Sequence, residues 1–145
     1  MHSSARNINI INVRMTHKTA RVPLMEAVAF KDKRSALKNI CSMENVDECV
    51  IIQTCNRIEL YIVSKEGENL ANRVKDYLAK RAGTAVEEAS KAIECSLNGD
   101  ALRHILRLTS GLESMVVGED QVLNQVWDAY LEGESAKTAG IILKH

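Results

Sequence analysis

A chain of 145 residues has room for one compact domain with a real core, and none for a second full domain. Hydrophobic residues make up 46% and charged residues 26%, which excludes a disordered tract or a membrane-embedded bundle and fits a soluble globular protein. The 19 Lys and Arg balance 19 Asp and Glu, so there is no strong positive field for unspecific nucleic-acid binding, and any RNA must be met locally.

In chain order, Ile8 to Val13 alternates apolar residues with Asn9 and Asn12 and slips phase at Ile10-Ile11, which predicts a first strand with a bulge. Leu24, Val28 and Phe30 predict a short helix entered through Pro23, and Ser35, Leu37, Ile40 and Cys41 a second ending near Met43. Cys49 to Ile52 reads as a buried strand. Ile58, Leu60 and Ile62 alternate with Glu59 and Tyr61 as a strand with one face in the core. Leu70, Val74, Tyr77 and Leu78 have helical spacing before Gly83, so a helix is expected over 67–82. Ala92 to Cys95 reads as a weak fourth strand. Asn98 then caps a helix with Leu102, Ile105, Leu106 and Thr109 on its inner face and His104 and Arg107 beside it. Glu119 and Asp120 open a further helix with Val122, Val126, Ala129 and Tyr130 inward.

This order predicts an α+β fold, an antiparallel sheet with helices packed on one face, of split βαβ (ferredoxin-like) type, in a single domain over residues 1–145. The chain stops on the apolar Ile141 to Leu143 followed by Lys144 and His145, as though cut where a longer protein continues. No apolar run is long enough for a bilayer, and Met1 to Asn7 lacks the apolar core of a signal peptide. Cys41, Cys49, Cys55 and Cys95 form no Cys-x-x-Cys pair and no zinc-finger spacing with the four histidines, so the expectation is no metal, reduced thiols and a cytoplasmic protein.

Gln53 to Tyr61 carries the chemistry. Thr54, Cys55, Asn56 and Arg57 lie at the junction of two strands, where a rigid scaffold presents functional side chains, and no glycine is there to mark a purely structural turn. By position alone a cysteine at a strand end is more often a small buried hydrophobe. Arg57, two residues on, would share a side with Cys55 if the chain stayed extended, and a cation so placed favours the reactive thiolate. Cys55 is therefore the candidate nucleophile.

Three segments in this order resemble the glutamyl-tRNA reductase family: Thr16-His17-Lys18-Thr19-Ala20, Gln53-Thr54-Cys55-Asn56-Arg57, and Ser110 to Gln121 with His104 just ahead of it. The resemblance spans nearly the whole chain. It implies an oxidoreductase that makes glutamate-1-semialdehyde for tetrapyrrole (porphyrin, heme) synthesis: Cys55 attacks the aminoacyl ester of glutamyl-tRNA, and NADPH reduces the resulting glutamyl thioester. It further implies substrate positions at Thr54, Cys55, Asn56, Arg57, Ser114, Glu119, Asp120, Gln121 and Gln125, with His104 as a histidine important for activity. A guanidinium fork at Arg57 suits the side-chain carboxylate of glutamate, and Glu119 suits the ammonium. His17 receives no role. Family members imply a homodimer and contact with glutamate-1-semialdehyde aminomutase.

Two departures stand out. Asp120 occupies a position where many members have proline, which puts that contact in doubt. No Gly-x-Gly-x-x-Gly follows a strand, so the chain is expected to match only the catalytic N-terminal domain, without the NADPH-binding and dimerisation parts. Two other classes compete: a cysteine-dependent ester or thioester hydrolase using Cys55 with His104 as base, and a non-catalytic split-βαβ RNA-binding module, for which three tyrosines, one phenylalanine and zero net charge are poor resources.

Overall fold

The structure, a computed structural model, describes residues 8–109. Its centre is a sheet built on the alternation of β1 (Asn9–Thr16), in which Ile11, Val13 and Met15 are fully buried. β1 pairs antiparallel with β3 (Arg57–Ser64) on one side and with β4 (Glu94–Leu97) on the other, and β2 (Val46–Thr54) completes the order β2-β3-β1-β4.

Two crossovers join the strands. The first holds α1 (Val22–Val28), started by Pro23 in its opening turn, and α2 (Lys33–Cys41), capped by Asp32, whose carboxylate accepts from the Ser35 N–H at 3.1 Å. The second holds α3 (Glu68–Lys80), a short 3₁₀ turn entered through Gly83 at φ +62, and α4 (Val86–Ala92). Leu24, Val28, Leu37, Ile40, Leu70, Val74 and Leu78 from these helices cover Ile11, Val13, Met15, Ile51, Ile58, Leu60 and Ile62 of the sheet. Each such side chain contributes roughly 1.5–3 kcal/mol by leaving water. The strand order, with its two helical crossovers, is the split βαβ arrangement expected of the α+β class.

Several expectations need correction. α5 (Gly99–Thr109) lies on the face opposite α1 to α4, where Leu108 and Ile105 join Val50, Ile52 and Tyr61 in a second, smaller core. Both faces of the sheet are thus covered, and every residue of β3 is buried, Glu59 and Tyr61 included. This also removes the need for a bulge at Ile10-Ile11: β1 runs in unbroken register from Asn9↔Ser64 to Thr16↔Arg57, and the shift in register falls between Val46 and Glu48 instead.

α5 is rotated from its expected face. Ala101, His104 and Leu108 point inward, while Leu102 and Leu106 are 48% and 66% exposed. The buried carboxylate of Glu59 needs a donor, and an unpaired buried charge costs far more than two half-wet leucines. Asn98 does not cap with its side chain. At φ 50 it turns the chain, and its amide bonds β1, accepting from the Ile10 N–H at 3.0 Å and donating to Asn9 Oδ1 at 2.9 Å. Ala92 closes α4, so the fourth strand begins at Glu94. The helix expected from Glu119 lies outside the described residues.

Candidate active site

β2 and β3 form a hairpin whose last pair is Thr54↔Arg57, which leaves Cys55 and Asn56 as a two-residue turn. Tight hairpins usually require a glycine or asparagine at positive φ. Here neither turn residue has positive φ, and the Thr54 hydroxyl closes the turn by accepting from the Asn56 N–H at 3.1 Å. Cys55 stands exposed at the tip. The chain therefore reverses between Cys55 and Arg57, and the extended stretch that would have put the two side chains on one side does not exist.

Arg57 is only 4% exposed and gives Nη1 to Glu59 Oε2 at 2.5 Å. Glu59, wholly buried, gathers four neighbours. Besides Arg57, the Tyr61 hydroxyl donates to Oε1 at 2.8 Å, Asn12 Nδ2 lies 3.3 Å from the same oxygen, and His104 Nε2 sits 2.9 and 3.1 Å from the two oxygens. An ionised carboxylate only accepts, so Nε2 of His104 carries the proton. Burial alone would raise the Glu59 carboxyl, but the hydrogen bond and charge of His104, followed by the Arg57 guanidinium, outweigh it and hold the group below the usual carboxylate range. Burial, with the Glu59 charge and hydrogen bond, pushes the Tyr61 phenol up, so it stays a donor.

Glu59 is the residue that alternation assigned to solvent. A signal was present: Arg57 and Tyr61, at i−2 and i+2 on a strand, share its face and can both donate to it.

Beside this cluster a cavity of about 390 Å³ opens between β1, β4 and α5, lined by Arg14, Thr16, Lys18, Glu94, Ser96, Asp100, Arg103, His104 and Arg107. Arg14 donates to Asn12 Oδ1 at 2.6 Å and to Ser96 Oγ at 2.9 Å, which links the cavity wall to the partner shell of Glu59. Four basic groups against two acidic ones suit an anionic ligand.

Among the site residues named from sequence, Arg57 and His104 meet through Glu59, whereas Cys55 and its neighbours Thr54 and Asn56 occupy the turn above them. Ser114, Glu119, Asp120, Gln121 and Gln125 lie outside the described residues. The other thiols are less suited to attack: burial raises Cys41 to about 11, raises Cys49 well above the ordinary thiol range, and raises Cys95. Among the described residues no group of three or more His, Cys, Asp or Glu could hold a metal ion, and no helix is long and apolar enough to cross a membrane.

The family model of the glutamyl-tRNAGlu reductase N-terminal domain matches residues 13–145. The glutamyl-tRNA reductase of Geobacter metallireducens is 38% identical over 138 residues, covering 94% of this chain and 32% of that protein. That of Staphylococcus saprophyticus is 36% identical over 140 residues, covering 95% and 32%. The solved structure of glutamyl-tRNA reductase from Methanopyrus kandleri superposes with a TM-score of 0.73 at 30% identity, over 93% of this chain and 30% of that one. The chain spans about a third of the length of these curated relatives.

Proposed function

The chain belongs to the glutamyl-tRNA reductase N-terminal domain family, and on that footing we propose that it transfers the glutamyl group of glutamyl-tRNA onto Cys55. The Cys55 sulfur attacks the ester carbonyl, a carbon–sulfur bond forms, the carbon–oxygen bond to the terminal ribose breaks, and glutamate remains as a thioester while tRNA departs. The observation that carries this reading is Cys55 itself, the exposed thiol at the tip of the central hairpin, inside the matched family segment.

The remaining roles follow from chemistry. Thr54 and Asn56 shape the turn and flank the bound acyl group. His104, whose Nε2–H is held by Glu59 at the cavity wall, has Nδ1 left for the ester carbonyl or the ribose and donates there when the ring is protonated. Arg57 is the cation for the side-chain carboxylate, which a neutral glutamine amide would pair with poorly. Ser114, Glu119, Asp120, Gln121 and Gln125 complete the substrate contacts in this reading.

In a longer enzyme the thioester is the form that NADPH would reduce to glutamate-1-semialdehyde for tetrapyrrole synthesis, in a cytoplasmic homodimer able to pass its product to an aminomutase. The sequence carries no Gly-x-Gly-x-x-Gly, so this reading leaves the dinucleotide to another part of a longer enzyme. The chemistry proposed for this chain ends at the thioester.

The test is to mix the chain with glutamyl-tRNA bearing labelled glutamate, quench in acid and map the label. A glutamyl adduct on Cys55 that disappears in Cys55→Ser and is released by hydroxylamine is the expected result. RNA binding with no adduct would point to a binding module instead.

A further inference from the structure

The Thr16-His17-Lys18-Thr19 segment has no part in the chemistry above, yet His17 is built into the nucleophile's turn. Its backbone N–H donates to the Asn56 carbonyl at 2.9 Å, which carries the β1–β3 pairing one step past Thr16↔Arg57 and sets His17 opposite the turn that presents Cys55. Its other side is fixed by Thr16, whose carbonyl accepts from the Thr19 and Ala20 N–H groups at 3.0 and 2.9 Å and whose hydroxyl accepts from the Lys18 N–H at 3.2 Å. Two hydrogen-bonded turns thus hold this one residue in place.

The ring supplies a second, independent observation. His17 Nδ1 is shut off from solvent and has no hydrogen-bond partner, the one buried side-chain nitrogen or oxygen in that condition among the described residues. Leaving such a group unsatisfied costs roughly 1–3 kcal/mol. A fold that keeps it commonly does so where a water or a ligand supplies the missing partner. Meanwhile Arg57 and His104, the two groups named from sequence as acting with Cys55, both give a donor to Glu59.

We propose that His17 is a catalytic residue of the acyl transfer: its imidazole takes the proton from Cys55 Sγ and delivers it to the ribose oxygen as that oxygen leaves. The proposal rests on the thioester reading. The atoms balance without a further reactant. The thiol gives its proton to the imidazole, sulfur bonds the carbonyl carbon, the carbon–oxygen bond breaks toward oxygen, and the imidazolium protonates that oxygen, so thiol and ester become thioester and free hydroxyl. A ribose alkoxide is a poor leaving group and gains from this proton, whereas a nitrophenolate leaves readily without one.

The experiment compares two acyl donors on the same 145-residue chain, glutamyl-tRNA and glutamyl 4-nitrophenyl ester, in single-turnover thioester formation. His17→Gln and His17→Asn should slow transfer from saturating glutamyl-tRNA by about 10²-fold or more, within the usual range for a lost general acid–base group. Transfer from the nitrophenyl ester should fall much less, so that the ratio of the two rates changes by roughly tenfold or more. Because both donors report on the same folded fraction, partial unfolding of a variant leaves that ratio unchanged. Equal losses with both donors, or no loss with glutamyl-tRNA, overturn the role of His17 while an adduct on Cys55 still upholds the thioester reading. An adduct that persists in Cys55→Ser overturns both.

Discussion

The carboxylate of Glu59 lies 2.9 Å from Nε2 of His104, across the interface between β3 and α5, with Glu59 wholly buried and His104 7% exposed. This contact joins the sheet to the helix and decides which face of α5 turns inward. It also couples Arg57 to His104, because both donate hydrogen bonds to the same carboxylate. A change at Glu59 should therefore be felt at both side chains at once.

The pH dependence of stability follows from that carboxylate. Its folded value is depressed, so the fold binds the ionised form more tightly than the protonated one. The stability it contributes is complete above the unfolded glutamate value of about 4.3 and is lost as pH falls from there through the folded value. Glu59→Gln should cost roughly 3–5 kcal/mol at pH 7, the usual range for leaving a buried cation without its counter-charge. Below about pH 4 its deficit against the unmodified chain should narrow. Urea unfolding of both proteins between pH 3 and 7 measures this, and a deficit that stays constant to pH 3 excludes Glu59 as the source.

Thiol labelling should follow exposure and burial. Cys55 stands exposed at the hairpin tip; Cys95 is exposed as well, but the packing around its sulfur raises it, as burial raises Cys41 and Cys49. Brief treatment with iodoacetamide at pH 7.5 should modify Cys55 first, and mass mapping should find Cys49 unmodified until the protein is unfolded. Early labelling of Cys49 would show that the β2 edge of the core opens far more readily than its packing implies.

Selection of the acyl side chain should depend on the guanidinium of Arg57. Arg57→Lys keeps the charge but loses the planar fork that fits a carboxylate, and it also weakens the hold of Glu59. Preference for glutamyl- over glutaminyl-tRNA should drop by about 10-fold or more, the equivalent of one charge-assisted hydrogen bond. If the unmodified chain takes both RNAs equally well, the buried Glu59–Arg57 pair is structural and Arg57 does not select the side chain.

Local pattern made much of this molecule legible. Ile11, Val13 and Met15 declare β1 by period, Pro23 opens α1, and Gly83 follows the end of α3. What escaped was tertiary. Whether Glu59 faces water or protein depends on α5, forty residues later; the donors Arg57 and Tyr61 on either side of Glu59 hint at partners for it but do not report that a second layer covers that face. The same helix misled through its own leucines, since an amphipathic pattern cannot know that a buried carboxylate awaits His104. α4 was missed because its seven residues, two of them neighbouring glutamates, carry too short a period to read. The strand junction that holds Cys55 was legible from the periods on either side of it, whereas the burial of Arg57 beside Glu59 required the hairpin turn to be seen closed.

The fate of the proposed thioester depends on whether a nicotinamide can be held against it. None of the seven glycines falls into a Gly-x-Gly-x-x-Gly pattern, and the described strands are joined to their helices without a glycine-rich phosphate turn. Hydride transfer requires the reacting atoms to be held about 3–3.5 Å apart, which calls for a site that fixes the nicotinamide against the acyl group. The 145-residue chain should accordingly form the glutamyl thioester and fail to reduce it. Water is then the acceptor, so the chain should act as a slow esterase that releases glutamate from glutamyl-tRNA, with a rate and product unchanged by NADPH. Calorimetry should detect no NADPH binding. Production of the semialdehyde by this chain alone would overturn the division of labour, while restoration of aldehyde formation on joining it to a dinucleotide-binding domain from a relative such as the Geobacter enzyme would establish that the thioester on Cys55 is the species handed on for reduction.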